Sequence, residues 1–136
     1  VVKFKNGAIG TIEGTTNVYP KNLEETLYIF GENGTVKIGG TSTNNIDVWD
    51  FADETEEDGK NKGLKEETSN VYGNGHTSLF ADVIDAIQSD RKPYVDAVAG
   101  RNALETVLSI YKSQKTGKSV KLPLTDFASI DMKGEF

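Results

Sequence analysis

Cysteine is absent from the chain, which excludes a disulfide framework, a thiolate zinc site and a sulfur nucleophile, and fits the reducing cytoplasm. Histidine occurs once, at His76, so neither a catalytic histidine pair nor a multi-histidine metal centre can be built within this chain. Proline is scarce at three residues, and 36% hydrophobic and 26% charged residues exclude collagen-like and disordered chains. No apolar run nears the ~18 residues of a membrane-spanning helix, and no basic stretch followed by an apolar one opens the sequence as in a signal peptide. A soluble, cytoplasmic protein with no membrane partner is expected. Basic residues number 15 against 21 acidic ones, a net charge of −6, so the surface is poorly made for phosphates and nucleic acid is not an expected partner. The Gly-x-Ser-x-Gly elbow, the P-loop, His-Glu-x-x-His and the EF-hand loop are all missing.

What remains is the material of one domain: 136 residues can bury a single core. The first half reads as antiparallel strands. Val1–Lys5 and Ala8–Ile12 flank Asn6-Gly7, and Glu25–Phe30 and Thr35–Ile38 flank Asn33-Gly34, so two hairpins with two-residue turns are expected. Ile46–Phe51 is rich in β-branched and aromatic residues and adds a strand beyond Gly39-Gly40. Asp53 to Glu67 holds seven acidic and three basic residues and little that is apolar; it reads as a solvated excursion, or as an acidic loop for a cation or a basic partner.

The second half changes period. Leu79, Phe80, Val83, Ile84 and Ile87 fall on one helical stripe, and Ala103, Leu104, Val107, Leu108 and Tyr111 repeat the spacing. Asp96 is placed to cap the second helix, with Lys112, Lys115 and Gly117 at its end. Ser119–Leu122 is expected as a short return strand ended by Pro123. Strands first and helices after them indicate an α+β fold, a mostly antiparallel sheet with two amphipathic helices on one face. On the second strand Gly10 and Gly14 share a side with Ile12, which suits either close approach by a ligand or another backbone, or bulges.

One motif invites a nucleotide. Gly73-Asn74-Gly75-His76-Thr77-Ser78 nears the dinucleotide fingerprint, and Asp96 follows at a ribose-binding distance. Yet Ser78 holds the third glycine position, Val71-Tyr72 is too short for a buried parallel strand, and Pro93 interrupts the next one, so the βαβ context is missing. His76 stands at the mouth of a helix, where it caps the helix or meets a ligand hydroxyl or phosphate. Glu54, Glu56, Glu57 and Asp58 are solvated, with nothing to tune them for acid-base chemistry. Alone, the chain does not read as an enzyme.

From Gly75 to Leu122 the sequence resembles the C-terminal end of the Gfo/Idh/MocA family of NAD(P)-dependent oxidoreductases. The residues that carry this are Gly75-His76, Asp82, Ile87, Pro93, Val95-Asp96, Gly100-Arg101, Ala103-Leu104-Glu105, Ile110-Tyr111-Lys112-Ser113, Thr116-Gly117 and Val120-Lys121-Leu122-Pro123. The first half is similar to the family's strands through Phe4-Lys5-Asn6-Gly7-Ala8, Gly10-Thr11-Ile12 and Ile29-Phe30-Gly31-Glu32-Asn33-Gly34-Thr35-Val36.

The resemblance implies that residues 1–136 are a single substrate and oligomerisation domain, a fragment without the N-terminal Rossmann domain, the Glu-Lys-Pro motif or the Asp-x-x-x-His segment that family members carry. The first residue, Val1, already reads as mid-strand, which agrees with a piece of a longer protein. NAD or NADP is then expected in the full-length protein, a sugar or polyol dehydrogenase, and no cofactor and no catalysis in this fragment. The family's sheet lies beside the substrate pocket and often against another subunit. A homo-oligomer through the open sheet face is therefore expected, and Asn17, Tyr19 and His76 are the candidates for contacts to a sugar-like substrate. The alternative from another class is a free-standing interaction or carbohydrate-binding module without catalysis.

Overall fold

The computed structural model describes residues 1–68 and 72–135, and its chain divides into two compact units, Val1–His76 and Thr77–Phe136. The first unit holds strands β1 (Val2–Lys3), β2 (Ile9–Gly10), β3 (Leu27–Phe30), β4 (Gly34–Gly39) and β5 (Asn45–Phe51), followed by helix α1 (Glu56–Asn61). The second holds all but the first two residues of α2 (Gly75–Gln88), with α3 (Ala97–Thr116) and a 3-10 turn at Ser129–Met132. Antiparallel strands followed by helices are the α+β arrangement expected from the sequence.

β1 and β2 pair antiparallel, Val2 opposite Gly10 and Lys3 opposite Ile9. Their connection is not the expected two-residue turn. The Gly7 N–H donates to the Phe4 carbonyl at 3.0 Å and the Phe4 N–H to the Ala8 carbonyl at 2.9 Å, so Lys5, Asn6 and Gly7 form a three-residue loop. Only Gly7, at φ +93°, enters the left-handed region, whereas the two-residue type I′ turn that Asn-Gly favours needs positive φ at both turn positions. The strand also stops at Gly10, so Gly14 lies on no strand and a Cβ there would meet open space.

β3, β4 and β5 form a three-stranded antiparallel sheet in that order. Leu27 faces Ile38, Ile29 faces Val36, and Val36 faces Trp49, which sets these apolar side chains on one face, while Tyr28, Phe30 and Lys37 share the other. Val36, on the central strand, is the buried centre of this sheet at 8% exposure. The Gly31 N–H donates to the Gly34 carbonyl at 2.9 Å, so the turn residues are Glu32 and Asn33, and Gly34 belongs to β4. Gly34 is needed for room: a Cβ there would lie 2.3 Å from Phe51 Cδ1 and 2.8 Å from the Asp50 carbonyl oxygen.

The acidic stretch is not simply an excursion. Thr55 caps α1, its Oγ1 accepting the Asp58 N–H at 3.3 Å while the Asp58 carboxylate accepts the Thr55 N–H at 2.9 Å. Beyond α1 the chain runs back along β5: the Ile46 N–H donates to the Leu64 carbonyl and the Glu66 N–H to the Asn44 carbonyl. The backbone groups thus find partners that composition did not reveal.

In the second unit α2 and α3 occupy the expected spans. The Asp96 carboxylate accepts the Ala99 N–H at 2.9 Å, and Gly117 ends α3 at φ +66° with its N–H on the Ser113 carbonyl. Ala86 is the buried residue of α2, while Phe80, Ile84 and Ile87 stay exposed. The return strand expected at 119–122 does not form. The residues on either side of it bind α3, the Ser113 hydroxyl donating to the Lys118 carbonyl at 2.8 Å and the Leu124 N–H to Glu105 Oε1 at 2.6 Å. Pro123 has no N–H to extend a ladder.

Candidate functional site

The sixteen residues between β2 and β3, 11–26, carry two of the three candidates. The Asn17 N–H donates to Thr15 Oγ1 at 3.0 Å, a local turn that leaves the Asn17 side chain exposed. Tyr19 precedes a cis peptide bond to Pro20 and is 95% exposed. His76 is the second residue of α2, and its ring meets the Tyr72 ring edge-on, centroids 6.3 Å apart. All three are at the surface, with ring or amide groups available to hydroxyls. Among the described residues no contact joins them into one constellation.

The polar groups that do converge were not singled out from sequence. On the first unit Trp49 Nε1–H donates to Asp58 Oδ1 at 3.1 Å. The Thr55 hydroxyl and N–H, then this indole, hold the Asp58 carboxyl below the ordinary aspartate range. Lys62 bridges Glu54 at 2.9 Å and Asp50 at 3.1 Å. These pairings engage Glu54 and Asp58 of the acidic stretch. The Thr-x-x-Asp spacing of 55–58 was the available signal for this cap.

On the second unit Asp82 accepts the Tyr94 N–H and a guanidinium N–H of Arg91, each at 2.7 Å, and Arg91 Nε–H donates to Asp85 at 2.9 Å. The Tyr94 N–H and then Arg91 hold the Asp82 carboxyl low. This knot fixes the corner that delivers Asp96 to the start of α3. It positions chain and leaves no acid or base poised for proton transfer.

An open hollow of about 320 Å³ is lined by Thr43, Asn44, Asn45, Ile46, Leu64, Lys65 and Glu66. None of the three candidates lines it, and the backbone of its walls is already paired between Ile46 and Leu64 and between Glu66 and Asn44. The near-fingerprint also finds no nucleotide context. Gly75 does open α2, but every strand pair among the described residues is antiparallel, where the fingerprint needs a parallel βαβ unit. Val71, the start of the run before it, lies outside the described residues.

Among the described residues, two antiparallel sheets precede the helices α2 and α3, and no parallel strand pair accompanies the near-fingerprint. Over residues 1–122 the sequence matches the family model described as oxidoreductase family, C-terminal alpha/beta domain. The chain belongs to the Gfo/Idh/MocA oxidoreductase family, as its C-terminal domain.

Among solved structures, the WlbA dehydrogenase from Bordetella pertussis, in complex with NADH and UDP-GlcNAcA, is similar at 38% identity and a TM-score of 0.81, over 90% of this chain. The WlbA dehydrogenase from Chromobacterium violaceum, with the same two ligands, is 32% identical with a TM-score of 0.75, over 91% of this chain. This Gfo/Idh/MocA chain spans only 36% and 34% of those two chains. Among curated proteins no sequence matches it.

Proposed function

We propose that residues 1–136 work as the single substrate and oligomerisation domain of an NAD(P)-dependent dehydrogenase that moves a hydride between its cofactor and a sugar-like substrate, a nucleotide sugar in particular. The supporting observation is the likeness to the Bordetella pertussis WlbA dehydrogenase, whose structure contains NADH and UDP-GlcNAcA, across 90% of this chain. In this reading the protein acts in the cytoplasm and as a homo-oligomer. The exposed apolar side chains of the edge strand β3, Leu27 and Ile29 on one face and Tyr28 and Phe30 on the other, support self-association, since an uncovered apolar edge strand favours a cover.

Asn17, Tyr19 and His76 are the proposed substrate-side contacts. Their exposure and their amide, phenol and imidazole groups suit the hydroxyls of a sugar.

The test is turnover. The full product of the reading frame that contains this chain is incubated with NAD and UDP-GlcNAcA, and reduced nicotinamide is followed by absorbance. Nicotinamide reduction dependent on the nucleotide sugar is expected. Failure to reduce NAD or NADP with any nucleotide sugar or free sugar would refute the reading.

A further inference from the structure

The last thirteen described residues, 123–135, lie beyond the family match and attach to a single flank of α3. Near their start Asp126 pairs with Lys112 Nζ at 2.5 Å, and at their end Glu135 pairs with Lys115 Nζ at 3.1 Å. Between these, Lys115 Nζ also donates to the Asp131 carbonyl at 2.5 Å, and Met132 is buried to 5% exposure. Leu124 adds its N–H to Glu105. Glu105, Lys112 and Lys115 are spaced seven and three residues apart, on one side of the helix with Leu108 among them. The flank differs from its neighbour accordingly: Glu105, Leu108 and Lys112 are half-buried, whereas Leu104 and Val107 are exposed.

α3 does not need this segment in order to be a helix. Asp96 caps its start, Gly117 stops it in the left-handed conformation, and Ser113 binds the Lys118 carbonyl, all before residue 123. The segment also holds its own turn together, through the Ala128 N–H on Asp131 Oδ2 at 2.8 Å and the Lys133 N–H on the Ile130 carbonyl at 3.1 Å. Its attachment is therefore one buried side chain, two hydrogen bonds and two solvent-accessible ion pairs, and such pairs weaken as salt screens them.

We propose that residues 123–135 form a strap that closes over the Glu105–Lys115 flank of α3, riveted by Met132 and latched by Lys112–Asp126 and Lys115–Glu135, and that it opens without unfolding the helix. Opening widens the uncovered apolar stripe from Leu104 and Val107 toward Leu108. Rising ionic strength favours the open state.

Hydrogen exchange read by mass spectrometry on the full chain tests this. The Leu124 amide donates across to Glu105 Oε1 on α3, so its protection reports the closed strap. In Met132→Asp and in Lys112→Glu its exchange should rise about tenfold while the amides of α3 hold their protection, and added salt should raise it in the parent chain. The charge swap Lys112→Glu with Asp126→Lys should restore the parent rate at low salt. The strap is overturned if this amide exchanges together with those of α3, if it is unprotected in the parent chain, if salt leaves its rate unchanged, or if the swap fails to restore the parent rate.

Discussion

Asp58 shows how much one carboxylate can organise. It accepts the Thr55 backbone and hydroxyl and the indole N–H of Trp49, and so joins the start of α1 to β5. Removing the cap with Thr55→Ala should cost about 1 kcal/mol, read as a lowered urea midpoint at unchanged slope. Because these bonds favour the ionised form, Asp58 keeps a depressed pKa in the folded chain, below the ordinary 3.8. Its contribution is complete above that value and is lost as pH falls through the lower, folded one. Trp49 is the sole tryptophan, so its emission should stay constant down to pH 3.8 and change below it. A change centred above 3.8 would show that the indole does not report on Asp58. Gly34 makes a different demand at the same scale. With Phe51 and the Asp50 carbonyl where a Cβ would go, Gly34→Ala should destabilise by about 1–3 kcal/mol through overpacking, seen as a fall in melting temperature.

Among the elements, the helices were the most legible. The 3.6-residue spacing from Ala103 to Tyr111, the Asp96 cap and the Gly117 stop are local signals, and the helix obeys all three. Gly117→Ala places a Cβ in the left-handed region and should cost about 1 kcal/mol in a thermal melt, whereas Gly59→Ala, inside α1 with open space around it, should not destabilise. Strands were legible in order and less so in extent. Asn6-Gly7 marked a hairpin, but the turn type depends on which φ angles become positive, and that follows from strand pairing across the turn. The acidic stretch misled because composition counts charges without asking which backbone groups they cap. Thr55 and Asp58 turn a solvated run into a helix, and the pairing of residues 44–46 with 64–66 draws on contacts some twenty residues apart that no local pattern displays. Val120–Leu122 has the residues of a strand but forms none, while Lys118 and Leu124 on either side of it are held by α3. The candidate site was the least legible part: Asn17, Tyr19 and His76 were chosen by resemblance, and exposed polar groups without a shared neighbour leave no periodic trace in a sequence.

At the scale of the whole molecule, the proposed dehydrogenase reading gives this domain the contacts to the substrate. If Tyr19 and Asn17 touch the sugar, Tyr19→Phe and Asn17→Ala in the full enzyme should each raise KM about fivefold, the loss of one hydrogen bond worth about 1 kcal/mol, with kcat little changed. An unchanged KM in both would remove the loop between β2 and β3 from the substrate site. Assembly belongs to the same scale: Phe30→Glu on the exposed edge strand should shift the mass in solution toward monomer, measured by analytical ultracentrifugation, and a parent chain that is monomeric at high concentration would contradict the proposed oligomer. The central claim, that this domain takes part in nicotinamide chemistry without itself holding the cofactor, is tested most directly by titrating NADH into the purified 136-residue chain and following cofactor fluorescence. A response that rises linearly without saturation is predicted. Saturable binding in the micromolar range, with quenching of Trp49, would contradict it.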